Sequence, residues 1–145
     1  MMSQVKPEPI FHQSFPAVME AWPAMRSGVL EAARLAAWGD DDLGRLELLF
    51  EEGALNIINH AYAGEEGEIE IALFPVDEGV LLRLSDSGPP FDPVSAQTPD
   101  LDAPTEERSI GGLGIHLMKT LAERLEYRRE NGRNVLEIVL KQQGG

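Results

Sequence analysis

Apolar and polar positions change period several times along this 145-residue chain, and each change marks an expected element. Ile10 to Phe15 alternates in the manner of a short strand. Pro7, Pro9 and Pro16 bracket it, and proline is tolerated at sheet edges, not centres. An edge strand is open to pairing with another chain, which makes this segment a candidate homodimer contact. From Pro23 to about Trp38 the period becomes helical, with Met25, Val29, Leu30, Ala33 and Ala37 on one face and Gly39 as the expected stop. Asp40, Asp41 and Asp42 then offer N-caps to a second helix, Leu43 to Ala63, ended by Gly64. Ile69, Ile71 and Leu73 alternate with Glu68, Glu70 and Ala72, which predicts a half-buried strand. Pro75 to Gly79 reads as a turn, followed by a strand from Val80 to Asp86.

Asp86 continues the series of Val80, Leu82 and Leu84, so its carboxylate is expected on the buried side. Such a residue either binds something or shapes a turn. Ser87 to Gly111 holds five prolines and little periodicity, which suits a functional lid or a disordered stretch. Gly111, Gly112 and Gly114 lead into a third helix, about Leu113 to Leu125, packed through Leu117, Met118 and Leu121. Leu125 to Glu130 and Arg133 to Leu140 flank Asn131-Gly132, the signature of a type I′ hairpin. No repeat interrupts this order. A single domain is expected over residues 9–141, with residues 1–8 and 142–145 as flexible tails.

Composition narrows the function. A 43% hydrophobic content suffices for a real core, while the net charge of −13 argues against nucleic acid as a partner. There is no cysteine, which removes disulfides, thiolate metal sites and cysteine nucleophiles. No apolar run approaches the roughly 18 residues that would span a bilayer, and the first eight residues lack a signal core. A cytoplasmic protein without membrane contact is the expectation.

Three stretches carry candidate chemistry. Glu52, Asn56 and His60 recur at steps of four and share one stripe of the second helix. That stripe either faces water or, on a mostly buried helix, awaits a polar partner such as a nucleotide with its metal ion. Asp86-Ser87-Gly88-Pro89-Pro90-Phe91-Asp92-Pro93 places an acid at a strand end before a forced turn. Ile110-Gly111-Gly112-Leu113-Gly114-Ile115 is a glycine-rich helix entry: a plain loop, or a site where backbone N–H groups meet an anion. Trp22 and Trp38 read as packing residues; His116 is given no chemistry and His60 reads as structural.

Together and in this order, these stretches resemble the GHKL (Bergerat) ATP-binding fold, and within it the anti-sigma-factor serine/threonine kinases of bacterial partner switching. The resemblance runs from about Phe11 to Leu140 and rests on three motifs. They are Glu-x-x-x-Asn-x-x-x-His-Ala-Tyr at 52–62, Asp-x-Gly-x-Pro-Phe-Asp-Pro at 86–93 and Gly-Gly-Leu-Gly-Ile-His-Leu-Met at 111–118. It implies an α/β, two-layer α+β sandwich: a mixed, mainly antiparallel sheet covered on one face by about three helices. It further implies that Asn56 ligates Mg²⁺, that Glu52 is the general base, and that Asp86 accepts the adenine amino group. Gly88 would let the backbone pass beneath the base, and Gly112 and Gly114 would meet the phosphates. Residues 88–111 would form the ATP lid, in which Arg108 is our own choice of cation for the triphosphate, set against a solvated lid residue. Pro90 and Ile110 stand where the family often has glycine, which stiffens the pocket. The implied cofactors are ATP and Mg²⁺. The implied partners are a STAS-type anti-sigma antagonist as substrate and a sigma factor as the sequestered protein. Two other readings stay open: a non-catalytic ATP-binding interaction module, and a detached histidine-kinase-type catalytic domain.

Overall fold

The computed structural model describes residues 8–61, 67–77, 79–90 and 118–143. Its strands are β1 (Phe11–Pro16), β2 (Glu68–Val76), β3 (Gly79–Asp86), β4 (Arg124–Glu130) and β5 (Arg133–Lys141). They form one sheet in the order β1-β2-β3-β5-β4. Every described pairing is antiparallel, so the mixed character expected of the sheet is not found among the described residues. Helices α1 (Trp22–Leu35) and α2 (Asp40–Asn56) pack on the sheet, and their apolar stripes share one core with the alternate residues of the strands. Ile69, Ile71, Leu73, Leu82, Leu84, Ile138 and Leu140 line that core from below, as the period of two requires. Of the third helix, residues 118–121 are described, with Met118 fully buried in the same core.

Several boundaries differ from the expectation for identifiable reasons. α1 stops at Leu35, not near Trp38, because Ala37 takes a left-handed φ of 71°. The Ala37 and Trp38 N–H groups then reach back to the Arg34 and Ala33 carbonyls at 3.0 and 3.1 Å, a Schellman cap closed without glycine. α2 begins at Asp40, so the three aspartates occupy its first turn and Gly39 is the cap. Pro75 lies inside β2, not in a turn; β1 reaches only as far as Leu73 on that side, so no β1 partner is deprived of a ladder bond. The third helix ends at residue 121, and Leu125 belongs to β4, whose start is fixed by the Glu123 N–H on the Val139 carbonyl at 2.8 Å. Past β5, the Gln143 N–H donates to buried Asp42 at 3.1 Å.

Other expectations hold. β1 is the edge strand, with Pro16 at its end. The β4–β5 hairpin turns through Asn131 and Gly132 at φ 53° and 76°, the two positive values a type I′ turn needs. Trp22 packs against Phe50 with ring centroids 4.9 Å apart, and Trp38 is buried. Among the described residues, no helix is long and apolar enough to cross a membrane.

Candidate functional site

α2 is pressed onto the sheet through Gly53. A Cβ there would lie 2.7 Å from the Leu84 side chain, so any larger residue would have to push the Leu84 methyl aside for the helix to sit this low over β3. Glu52 and Asn56 flank that contact on the helix. Asp86 follows Leu84 by two residues on the same face of β3. The contact therefore brings the polar stripe of α2 over the strand that ends in the buried aspartate.

Asn56 is the last residue of α2 and is buried. Its Nδ2 donates to the Glu52 carbonyl at 3.1 Å, which fixes the amide with the oxygen facing away. That oxygen, Oδ1, is fully buried and finds no hydrogen-bond partner among the described residues. A buried carbonyl-type oxygen left bare costs about 1–3 kcal/mol, which a folded chain rarely accepts without a compensating ligand. Directly after it the helix loosens into a five-residue π-helical turn, Ile57–Ala61. Such turns are uncommon, and they recur where helices carry function. Asn59 is exposed on it; the His60 side chain lies outside the described residues. Glu52 is half-buried. Burial first, and the adjacent Glu51 charge second, push its carboxyl above the ordinary range, which makes the carboxylate a better proton acceptor.

Asp86 is 2% exposed and sits in a different environment. Its Oδ1 accepts the Gly88 N–H at 2.8 Å, closing an Asx turn, and the Asn134 Nδ2 at 2.9 Å. Both bonds fall on one oxygen, Oδ1. Gly88 is buried, and its carbonyl takes the Arg129 guanidinium at 2.7 Å. Gly112, Gly114 and Arg108, with most of the expected lid, lie outside the described residues.

Sequence reasoning missed Asn134. It is 4% exposed and faces Asp86 in register across β3 and β5. Its Nδ2 also donates to the Pro89 carbonyl at 2.9 Å, while its Oδ1 accepts from the Tyr127 hydroxyl at 2.5 Å and from Arg129 at 3.2 Å. The signal was present. Asn134 continues the buried series of Leu136, Ile138 and Leu140, the same pattern that singled out Asp86.

A buried acid held by a turn at a strand end, and a bare, buried amide oxygen on a helix above the sheet, are what the described residues contribute to the candidate site. In comparison with known proteins, residues 15–140 match the model of the histidine kinase-like ATPase domain. The chain belongs to this GHKL-type family. Among curated relatives, it is 27% identical to the serine-protein kinase RsbW of Bacillus cereus (strain G9842) over 125 residues, covering 83% of this chain and 78% of the relative. It is 32% identical to the serine/threonine-protein kinase BtrW of Bordetella bronchiseptica over 95 residues, 65% of this chain and 67% of that one. Of solved structures, the Acinetobacter baumannii histidine kinase AdeS aligns over 99% of this chain and 72% of its own, with 18% identity and a TM-score of 0.49.

Proposed function

We propose that this protein is a Mg²⁺- and ATP-dependent protein serine/threonine kinase that phosphorylates a STAS-type anti-sigma antagonist and sequesters a sigma factor or a similar regulator in the cytoplasm. The observation that carries the reading is the bare, buried Oδ1 of Asn56 one helical turn from a Glu52 carboxylate of raised pKa. A hard cation takes oxygen ligands, and an amide oxygen fixed by its own helix suits one. Among the described residues, no group of three or more acidic or histidine side chains could hold a metal. A single amide oxygen suits a cation that draws most of its ligands from phosphate and water. Bound there, Mg²⁺ would neutralise charge on the phosphates.

The chain's own residues supply the rest. Glu52 takes the proton of the attacking serine hydroxyl, and its partly desolvated carboxylate is primed for that. Asp86 offers Oδ2 to the exocyclic amine of adenine, and the Gly88 turn leaves room beneath the base. Gly112 and Gly114 donate backbone N–H groups to phosphate, and Arg108 adds a cation from the lid. Phosphoryl transfer needs positioning and charge neutralisation more than covalent help, and this set provides both. The relatives named as serine-protein kinases support the reaction class. The edge position of β1 among the described strands supports a homodimer formed through that strand.

The test is incubation with γ-labelled ATP, Mg²⁺ and a cognate STAS protein. Phosphoserine on the STAS protein is expected. Nucleotide binding without transfer to any STAS partner would leave an interaction module, and label on a histidine of this chain would point to a histidine-kinase domain.

A further inference from the structure

Two guanidinium groups of the β4–β5 hairpin reach across to the turn that follows Asp86. Arg129 Nη1 donates to the Gly88 carbonyl at 2.7 Å and to Asn134 Oδ1 at 3.2 Å. Arg133 Nη1 donates to the Ser87 hydroxyl at 3.0 Å, and its Nη2 is anchored by Glu70 Oε1 at 3.1 Å. The other oxygen of Glu70 holds His12 of the edge strand at 2.6 Å. Ser87 and Gly88 are the residues that set where the Asp86 carboxylate stands and how the chain leaves it. Glycine has the widest backbone freedom of any residue, so a carbonyl there swings unless something pins it. A charged fork that binds two acceptors at fixed angles is well suited to pinning it.

We propose that Arg129 and Arg133 are positioning residues of the base pocket: they hold the Ser87–Gly88 turn in the shape that presents Asp86 to the nucleobase. This rests on the nucleotide-binding reading above and adds to it a role for residues that touch the loop from behind. None of their described contacts involves α2, which carries Glu52 and Asn56. Their loss should therefore weaken binding of the base and spare the chemical step.

The test is calorimetry of adenosine, ADP and Mg²⁺–ATP on the full chain, alongside steady-state transfer kinetics. In Arg129→Ala and Arg133→Ala, affinity should fall roughly three- to tenfold for all three ligands alike, with KM for ATP rising in step and kcat at saturation kept. Arg129→Lys should recover most of the loss, since one donor still reaches the Gly88 carbonyl. A loss that grows with ligand charge and spares adenosine would overturn the proposal, because the arginines would then act only as cations near phosphate. So would a lower Tm with unchanged affinities. Ser87→Ala removes the Arg133 acceptor without touching charge and decides the matter if an arginine variant does not fold; a loss of about twofold for all three ligands is expected, and no loss overturns it. A wild-type chain that binds no adenosine compound takes the underlying reading down as well. A wild-type chain that binds them while every variant matches it defeats this inference alone.

Discussion

The two buried polar corners of the site are built on opposite plans. Around Asp86, the protein holds the carboxylate itself: the Gly88 N–H and Asn134 bond to Oδ1, and Tyr127 and Arg129 bond to Asn134, joining the Asp86 turn to the β4–β5 hairpin. Around Asn56, a buried oxygen is left bare at the point where the helix changes its winding. Both residues are almost equally hidden from water, at 2% and 5% exposure, so burial alone does not separate them. Satisfaction does. A saturated corner is rigid before anything binds and selects by shape, whereas an unsaturated corner costs stability until a ligand completes it. On the proposed reading, the base end of the pocket is therefore preformed, and the phosphate end is finished by what enters.

The largest effect expected concerns Glu52, beside the unsaturated corner. Glu52→Gln keeps the shape and removes the proton acceptor, so transfer to a serine substrate should fall by about 10²–10⁴-fold while nucleotide affinity changes by less than about twofold. The folded-state pKa of Glu52 is raised, so its ionised form is disfavoured by folding. That penalty is present at neutral pH and is relieved as pH falls through the raised value. The neutral glutamine should accordingly leave Tm at pH 7 unchanged or higher. A transfer rate that survives Glu52→Gln would strip this residue of its role. An acid limb of kcat/KM lying at or below the ordinary glutamate value of 4.5 would contradict the raised pKa.

Next in size is a pair of truncations that compares the corners directly. Asn134→Ala leaves a buried carboxylate short of a donor and a tyrosine hydroxyl short of an acceptor, and should cost about 2–3 kcal/mol in urea denaturation. Asn56→Ala removes an oxygen that had no described partner, so its cost should stay within about 1 kcal/mol. Its effect should appear instead as loss of the Mg²⁺-dependence of nucleotide binding. Equal destabilisation by the two variants would erase the distinction between a saturated and an unsaturated corner.

Much of this was legible in the sequence where one local signal decides the outcome. Asn131-Gly132 fixes its turn because few residues tolerate two successive positive φ values, and Asp86 was exposed as a buried acid by the alternation of Val80, Leu82 and Leu84. Helix ends were harder. Ala37 closes α1 in a conformation that glycine usually takes, and nothing local announces it. The π-helical turn after Asn56 was invisible for a different reason: one wider turn barely disturbs a helical hydrophobic pattern. The clamp of Asn134, Arg129 and Arg133 on the Asp86 turn joins residues more than 40 positions apart, as in the 2.7 Å bond from Arg129 to Gly88. Its partners become neighbours only once β5 pairs with β3. Asn134 could have been found by the alternation argument, and so could Arg129, which continues the Leu125–Tyr127 phase opposite it; Arg133, on the other phase of β5, could not.

The smallest effect expected tests whether saturation also matters on the sheet face turned away from the helices. There Glu137 accepts from Arg128 at 2.9 Å and from Arg83 at 2.8 Å, and Arg83 lies 4.8 Å from the centre of the Phe74 ring. Burial alone would push the Glu137 carboxyl up; the hydrogen bonds from Arg128 and Arg83, with their charges, more than offset it and hold it below the ordinary value. A depressed folded-state pKa contributes stability above the unfolded value of about 4.5, and that contribution disappears as pH falls through the lower folded value. Glu137→Gln should therefore lower Tm modestly at pH 7, with the gap from wild type narrowing on acidification below pH 4.5. Because the pairs are partly open to solvent, added salt should narrow the gap as well. A gap that stays constant through the acid range would mean that the glutamate contributes packing and no charge, and that saturation by ion pairs on this face does not reproduce what the hydrogen-bonded corner at Asp86 achieves in the core.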